Sequence, residues 1–291
     1  MKNLNDKKFK VNREKCIQCG LCTKICWNGA LKKGAEGFPE LHTDYTDLSD
    51  EWHMCWECQR CMAVCPTAAL SICGKDPADS VPADRIPSAE AMEALILNRR
   101  SCRNFQQKNV NKDLITHILS IVSNLPTGSN NQLLQFALID DIETMNRFRK
   151  IFYEEFWRVT ESGIYPERFP KQDIDCFREY CNKGEEFVFR GAPHLLIPYS
   201  KIGKGDWECE TNIALAYTEL LMNTHGLGTI ILSTPWQAMT ICPHTRELLG
   251  IPENCYPTCY LAFGWPAIRF PRGVQRFDYL KIHRPQFIEA E

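Results

Sequence analysis

The sequence predicts an α+β protein in two parts: a small cysteine-rich domain over residues 1–74 and, beyond a linker at 75–87, a larger α/β sandwich with a mixed central sheet over 88–291. Three observations lead to it. Eight of the 16 cysteines fall in two regular runs before Pro66. After Cys73 the chain turns to Pro and Asp without periodicity (Gly74-Lys-Asp-Pro-Ala-Asp-Ser-Val-Pro82), as an extended linker does. The remaining residues, about 200 of them, alternate helical and strand signals and suffice for a substantial core.

The first run is Cys16-Ile-Gln-Cys19-Gly-Leu-Cys22-Thr-Lys-Ile-Cys26 and the second is Cys55-Trp-Glu-Cys58-Gln-Arg-Cys61-Met-Ala-Val-Cys65-Pro66. Both have the C-x2-C-x2-C-x3-C spacing of bacterial ferredoxins, in which the fourth cysteine of each run serves the other cluster. The expectation is therefore a bacterial-ferredoxin-like domain with two [4Fe–4S] clusters, one on Cys16, Cys19, Cys22 and Cys65, the other on Cys55, Cys58, Cys61 and Cys26. An internal duplication supports it, since Cys26-Trp-Asn-Gly-Ala-Leu31 aligns with Cys65-Pro-Thr-Ala-Ala-Leu70 at constant offset. Trp27 replaces the proline in the first copy, and Trp27 and Trp56 are expected to shield the clusters from water. Zinc, which takes separated C-x2-C pairs, fits these triples poorly. A disulfide framework would need an oxidising compartment, and residues 1–30 have a polar, lysine-bearing start and no secretory pattern.

A formal net charge of −2 and the lack of a basic stripe with interleaved aromatics argue against nucleic-acid binding. No apolar run reaches the roughly 18 residues of a membrane span. A cytoplasmic location, away from membranes, is expected.

In the second part, Ser88 is placed to cap a helix ending near Arg99, with Met92, Leu95 and Ile96 on one face. Asn111 caps a second, with Leu114, Ile115, Ile118, Leu119 and Val122 at helical spacing. Phe136–Ile139 reads as a strand closed by Asp140-Asp141. A helix from Ile142 and a polar, aromatic-rich stretch to about Lys183 follow. His194–Tyr199 reads as a buried strand. Trp207–Thr224 is expected as the longest helix, with Ile213, Tyr217, Leu220 and Leu221 on a face and Gly226 closing it. Thr229–Leu232 and Tyr256–Phe263 complete the strands.

Arg99-Arg100-Ser101-Cys102-Arg103-Asn104-Phe105 offers forked donors and a hydroxyl at a helix terminus, a set suited to phosphate. A solvated basic helix end is the plainer reading of the same residues. The order of further segments adds weight: Pro126-Thr-Gly-Ser-Asn130-Asn-Gln132, Gly191-Ala-Pro193, His225-Gly-Leu-Gly228-Thr229, and Gly264-Trp-Pro266 with Arg269 and Arg272. In that order they resemble the FMN-dependent nitroreductase superfamily over roughly residues 88–275. The whole chain resembles the ferredoxin-fused nitroreductases.

The resemblance implies a nitroreductase-type α/β sandwich and a homodimer with FMN at the interface. It implies that Arg99, Arg100 and Ser101 bind the FMN phosphate and ribityl chain, that Arg103 lies near flavin N1/O2, and that Arg272, with Arg269 nearby, closes from the C-terminal side. Thr127, Gly128, Ser129 and Asn130 would come from the partner subunit, while Leu232, Ser233, Thr234, Pro235 and Trp236 would present backbone donors near N5. Leu133-Leu134 departs from the family's Pro-Trp, and no counterpart of its Asn and Lys before Gly191 is found. A guanidinium at N1/O2 favours the reduced flavin.

The expected activity passes electrons from a reduced ferredoxin or flavodoxin through the clusters to FMN, and on to a small organic acceptor of the nitroaromatic kind. NAD(P)H is the competing donor. An activated alkene, a quinone or a halogenated aromatic is the competing acceptor, and an electron-transfer or redox-sensing flavoprotein is the non-enzymatic reading.

Cys73, Cys102, Cys176, Cys181, Cys209, Cys242, Cys255 and Cys259 are expected to serve packing. A reactive thiol at Cys102 and a metal site on Cys242, Cys255 and Cys259 are the alternatives. His194 and His225 are expected to be structural. Trp157, Tyr165, Trp207 and Trp236 either line a ligand cavity or fill the core.

Overall fold

The computed structural model describes residues 9–42 and 55–286; most of the lysine-bearing start lies outside them. The chain divides into two compact units, one of Met1–Ile86 with Thr127–Asn131 and the other of Pro87–Pro126 with Gln132–Glu291.

In the first unit, strand β1 (Lys10–Val11) pairs antiparallel with β4 (Leu70–Ser71), and β2 (Leu31–Lys33) with β3 (Pro39–Leu41). Two short helices, α1 (Leu21–Ile25) and α2 (Arg60–Ala63), bring Cys22, Cys61 and Met62 onto Leu31, Leu70 and Ile72 in one small core. The duplication extends to the backbone. Gln18 and Glu57 have φ of 52° and 55°, Gly20 and Gln59 have 76° and 58°, and Gly29 and Ala68 have 66° and 50°. Each pair is 39 residues apart. The left-handed turn at each position costs a non-glycine residue roughly 1 kcal/mol, so its presence in both copies reflects one loop shape used twice. Trp27, expected as a shield, is 79% exposed. The extended stretch at 75–87 is interrupted by single 3-10 turns at Pro77–Asp79 and Ala83–Arg85, the first capped by Asp76 Oδ1 accepting from Ala78 N–H.

The second unit is a three-layer sandwich. Its sheet runs in the order β5 (Gln135–Ile139), β6 (His194–Lys201), β9 (Tyr260–Gly264), β7 (Gly228–Leu232), with β8 (Cys255–Pro257) also on β6. These strand pairs are antiparallel, and the parallel element comes from Ser101, which bridges to Thr229. Side chains alternate along β6: Leu195 and Ile197 enter one core, Leu196 the other. The first core receives Met145, Phe148, Phe152 and Phe156 from α5 (Ile142–Glu161), and Ile174 and Phe177 from α6 (Lys171–Asn182). The second receives Ile115, Ile118 and Val122 from α4 (Lys112–Val122), and Ala214, Leu215 and Met222 from α7 (Trp207–Thr224). Phe152 is fully buried against Phe156 and Phe189, and its loss to alanine would cost about 3–5 kcal/mol.

The helix starts follow their capping residues. Ser88 Oγ accepts from Ala91 N–H ahead of α3 (Ala89–Asn98), Asn111 Oδ1 from Asp113 and Leu114, and Asp141 Oδ1 from Thr144. Three expectations need revision. Helix α5, at 20 residues, is longer than α7 at 18. The buried face of α7 is rotated from the expected one: it carries Glu210, Thr211, Thr218 and Glu219 besides Ala214, Leu215 and Met222, while Tyr217 is exposed. The strand expected over 256–263 is split, because β8 and β9 pair with different stretches of β6. Helix α3 buries none of its residues, and Met92, Ile96 and Leu97 are exposed. Among the described residues, no helix is long and apolar enough to cross a membrane.

Candidate functional site

The candidate site is assembled around residues 99–106, which follow α3 and run beside β7. Ser101 bridges Thr229, and Cys102 N–H donates to Thr229 O at 2.8 Å. Further on, Gln106 N–H donates to Trp265 O and Ala267 N–H to Asn104 O, each at 2.8 Å. Main-chain bonds therefore hold this segment as an added strand, and its side chains are left for other work.

So close an approach requires the glycine beneath Cys102, Gly228. Gly228 and Gly264 are register partners in β7 and β9. A Cβ on Gly228 would stand 2.7 Å from Cys102 Sγ, and one on Gly264 would stand 2.5 Å from Pro193 Cγ. Cys102 fills this space: its thiol is buried and donates to Asn104 O at 3.3 Å, and burial pushes its pKa up. That setting suits packing and not nucleophilic attack.

The guanidiniums collect at the end of α3. Arg99 Nη1 lies 3.3 Å from Glu219 Oε1. Arg100 Nη2 donates to Leu97 O, while its Nε is buried without a partner. Desolvation, and then the Arg276 and Arg99 cations, hold Arg100 below the ordinary arginine pKa. A Cβ on Gly273 would stand 2.6 Å from Leu97 O, so the C-terminal tail carrying Arg272 and Arg276 passes against the same helix end. Arg269 lies on the exposed part of that tail. Arg103 Nη1 donates to Ser101 O at 3.5 Å. Burial, and then Arg103, hold Arg190 below the ordinary range; Arg190 has φ 59°, covers the Phe187 ring at 4.0 Å, and has a buried Nε without a partner. Cations crowded together with orphaned donors are stabilised by an anion in their midst. This donor set fits the phosphate of a mononucleotide such as FMN.

The other expected positions divide. Leu232 closes β7 in the core, and Ser233 precedes α8 (Thr234–Met239), with Pro235 in its first turn. Arg168 Nη1 donates to Ser233 Oγ at 3.4 Å. Trp236 and Trp207 both meet Tyr256 edge-on. Thr127, Gly128, Ser129 and Asn130 group with the first unit, where Asn130 Nδ2 donates to Trp56 O at 2.7 Å. Trp157 stacks on Tyr153, and it and Tyr165 pack on the first core. His194 is buried and accepts from Val110 N–H through Nε2 at 3.0 Å, and His225 caps α7. Glu219, Asn223, Arg190 and Arg276 are absent from the sequence-based set. The i, i+4 pair Glu219 and Asn223 on α7 was the available signal, hidden by misplacing that helix's buried face.

The cysteine runs require a correction. The cavity in the first unit is lined by Cys16, Cys19, Cys22 and Cys65 with Lys33 and Thr67. Yet among the described residues no three or more His, Cys, Asp or Glu side chains form a group that could hold a metal ion. The two [4Fe–4S] clusters expected on Cys16, Cys19, Cys22 and Cys65 and on Cys55, Cys58, Cys61 and Cys26 are overturned on this geometry, and the electron path drawn through them falls with them. The same holds for a metal site on Cys242, Cys255 and Cys259. The physical reason is that spacing brings thiols onto neighbouring loops, whereas ligation needs several of them grouped within bonding reach of one centre. Burial raises the pKa of Cys22 and pushes those of Cys61 and Cys242 up to about 12. Cys65 alone of these is lowered: burial would raise it, but Ala69 N–H at 3.2 Å and the Thr67 hydroxyl at 3.7 Å bond its sulfur.

Comparison with known proteins gives two family matches. The family model described as "Nitroreductase family" matches residues 96–265, and that of the "4Fe-4S dicluster domain" matches 8–69. The architecture is thus a dicluster-like N-terminal domain fused to a nitroreductase domain, with the likeness of the first lying in sequence and backbone. Among curated proteins, the chain is 23% identical over 195 residues to the "Putative NADH dehydrogenase/NAD(P)H nitroreductase" of Archaeoglobus fulgidus, covering 66% of this chain and 97% of that one. It is 20% identical over 178 residues to the iodotyrosine deiodinase of Haliscomenobacter hydrossis, covering 58% and 77%. Among solved structures, the nitroreductase with bound FMN from Desulfitobacterium hafniense superposes with a TM-score of 0.53 at 18% identity, covering 68% of this chain and all of that one. The corresponding protein from Bacteroides fragilis gives 0.52 at 19% identity with the same coverage. These superpositions show the fold.

Proposed function

The chain belongs to the nitroreductase family, and from that premise we propose that it is an FMN-dependent oxidoreductase reducing a small organic acceptor of the nitroaromatic kind. The observation that carries the reading is the guanidinium set around the orphaned Arg100 Nε, on a segment inside the matched region. Arg99, Arg100 and Ser101 bind the FMN phosphate and ribityl chain, and Arg272 and Arg269 close on it from the tail. Arg103 lies at the N1/O2 edge, where a fixed cation favours the reduced ring. The turn from Leu232 through Ser233, Thr234 and Pro235 to Trp236 borders the other edge, and Thr127, Gly128, Ser129 and Asn130 belong to the binding surface of a partner subunit. Bound FMN supplies two-electron chemistry to an acceptor stacked on it.

The donor in this proposal is a reduced nicotinamide nucleotide, a class named for the Archaeoglobus relative. A reduced ferredoxin or flavodoxin is the competing donor. The chain works in the cytoplasm as a homodimer. Exposed Met92, Ile96 and Leu97 on α3, with Phe277, Tyr279 and Leu280 in the tail, support a second copy as their cover. The deiodinase relative favours a second acceptor class, halogenated aromatics.

The test is anaerobic. Purified protein is assayed for bound FMN, then given NADH, NADPH or reduced ferredoxin against a nitroaromatic and a halogenated phenol in parallel. FMN should bind stoichiometrically, and a nicotinamide nucleotide should support nitroaromatic turnover. Protein that neither retains nor rebinds FMN refutes the proposal, and turnover of the halogenated phenol alone moves it to the second acceptor. Sedimentation that finds only monomer at micromolar concentration refutes the dimer.

A further inference from the structure

Helix α7 buries a carboxylate in its middle. The Glu219 side chain is 9% exposed and lies 3.3 Å from Arg99 Nη1. It also accepts from Thr229 Oγ1 at 3.3 Å. Thr229 Oγ1 in turn accepts from Asn223 Nδ2 at 2.9 Å, which leaves the threonine hydrogen to point at Glu219. Asn223 Nδ2 is itself anchored on Glu219 O at 2.8 Å. Through its main chain the same Thr229 accepts Cys102 N–H and bridges Ser101. One residue of β7 therefore ties the Arg99 side chain and the Ser101 backbone to a common frame.

Nothing in the packing of α7 demands an acid here. Its neighbours on that face include Leu215 and Met222 in the second core, and a buried carboxylate is weak evidence of stability compared with an apolar side chain. A carboxylate close to a phosphate site also carries the wrong charge for the ligand. Orientation resolves both points: Glu219 engages one amino group of Arg99 and leaves the Nη2 and Nε edges for an anion.

We propose that Glu219 is a positioning residue that acts on FMN through Arg99, fixing the guanidinium in its phosphate-binding rotamer, with Thr229 and Asn223 fixing Glu219. The inference rests on the FMN reading above. It predicts an effect specific to the phosphate end of the ligand, because Glu219 reaches the flavin only through a phosphate contact.

The full chain, its flavin removed, is titrated with FMN and with riboflavin, which lacks the phosphate, and binding is read from quenching of flavin fluorescence. Glu219→Gln should weaken FMN roughly tenfold, the scale of a charged hydrogen bond, and leave riboflavin within about twofold. In an Arg99→Ala background, Glu219→Gln should add nothing further. Glu219→Met serves the same comparison should the amide be poorly tolerated, with the melting temperature of the flavin-free chain as the folding control. Equal losses for FMN and riboflavin, or wild-type FMN affinity in both variants while Arg99→Ala weakens it, overturn the positioning role alone. Wild-type FMN affinity in Arg99→Ala overturns the phosphate reading and this inference together.

Discussion

Gly228→Ala should be among the most damaging single-methyl additions in the second unit, and the structure sets the size of the effect. The new Cβ would stand 2.7 Å from Cys102 Sγ and 2.8 Å from Cys102 Cβ. Nonbonded carbons rest at roughly 3.5–4.0 Å, so about 1 Å of displacement is required. It cannot be absorbed by a rotamer change, since one of the clashing atoms is the Cβ itself and Cys102 N–H is bonded to Thr229 O at 2.8 Å. The 99–106 segment must lift from β7, carrying Arg99, Arg100 and Ser101 with it. Overpacking of this kind costs about 1–3 kcal/mol, which for a unit of this size lowers the melting temperature by about 2–4 °C per kcal/mol. Calorimetry of the variant with and without FMN reads both consequences. Stability should fall and the stabilisation gained from FMN should shrink, whereas Cys102→Gly in the same chain should restore much of both. A Gly228→Ala protein with wild-type melting and wild-type FMN stabilisation would refute the argument that glycine is needed for the approach.

His194 gives a pH dependence. Burial holds its pKa at about 4, below the ordinary value of 6.5. The unfolded chain therefore takes up the proton first as pH falls, so stability is full above about 6.5 and is lost progressively toward 4, by up to about 3 kcal/mol. Urea denaturation at pH 7.5 and 5 measures it, and a flat profile would show that the neutral imidazole is not required. Glu155 is buried, and although burial opposes it, hydrogen bonds from the Thr245 hydroxyl at 2.5 Å, Thr245 N–H at 2.7 Å and His244 N–H at 3.1 Å hold its carboxyl below the ordinary value. Glu155→Ala orphans all three donors and should cost about 2–4 kcal/mol in urea denaturation, with a loss under 1 kcal/mol counting against this role for the carboxylate. Arg100→Ala should weaken FMN, read by flavin release on dilution, while leaving the melting temperature of the flavin-free chain unchanged or raised, because it removes a cation crowded by two others.

Local chemistry made the element boundaries readable. Ser88, Asn111 and Asp141 each accept from the first turn of the helix they precede, and Trp207–Thr224 is the helix its composition predicts. Apolarity located the buried face of α4, with Ile115, Ile118 and Val122, and the buried strand β6, but it misplaced the face of α7. The inner face of α7 is built partly from Glu210, Thr211, Thr218 and Glu219, so the apolar residues Ile213 and Tyr217 misplace it. The same error hid Glu219 and Asn223 from the site. Helix α6 escaped notice because only Ile174 and Phe177 of its 12 residues are buried. The arginine segment was legible as a donor set, but Arg276 and Arg190 reach it from distant parts of the chain, and no spacing rule connects them. The cysteine runs teach the converse: their spacing specifies paired loops, visible in the matched backbone angles, and does not specify where the sulfurs converge.

The grouping of Thr127–Asn131 with Met1–Ile86 means that the chain passes between its two units three times: after Ile86, after Pro126 and after Asn131. Three chain crossings, and not one, join the two units. A cut at residue 86 would release one thread and leave five residues behind, separated from the segment with which they fold, Asn130 without the Trp56 carbonyl it bonds. Truncation is then a poor way to ask what the first 86 residues contribute, since the shortened chain carries a wound in a loop of its own. Gene fusions that exchange only the N-terminal segment would inherit the same mismatch, so the two stretches should be expected to change together whenever this architecture is rebuilt.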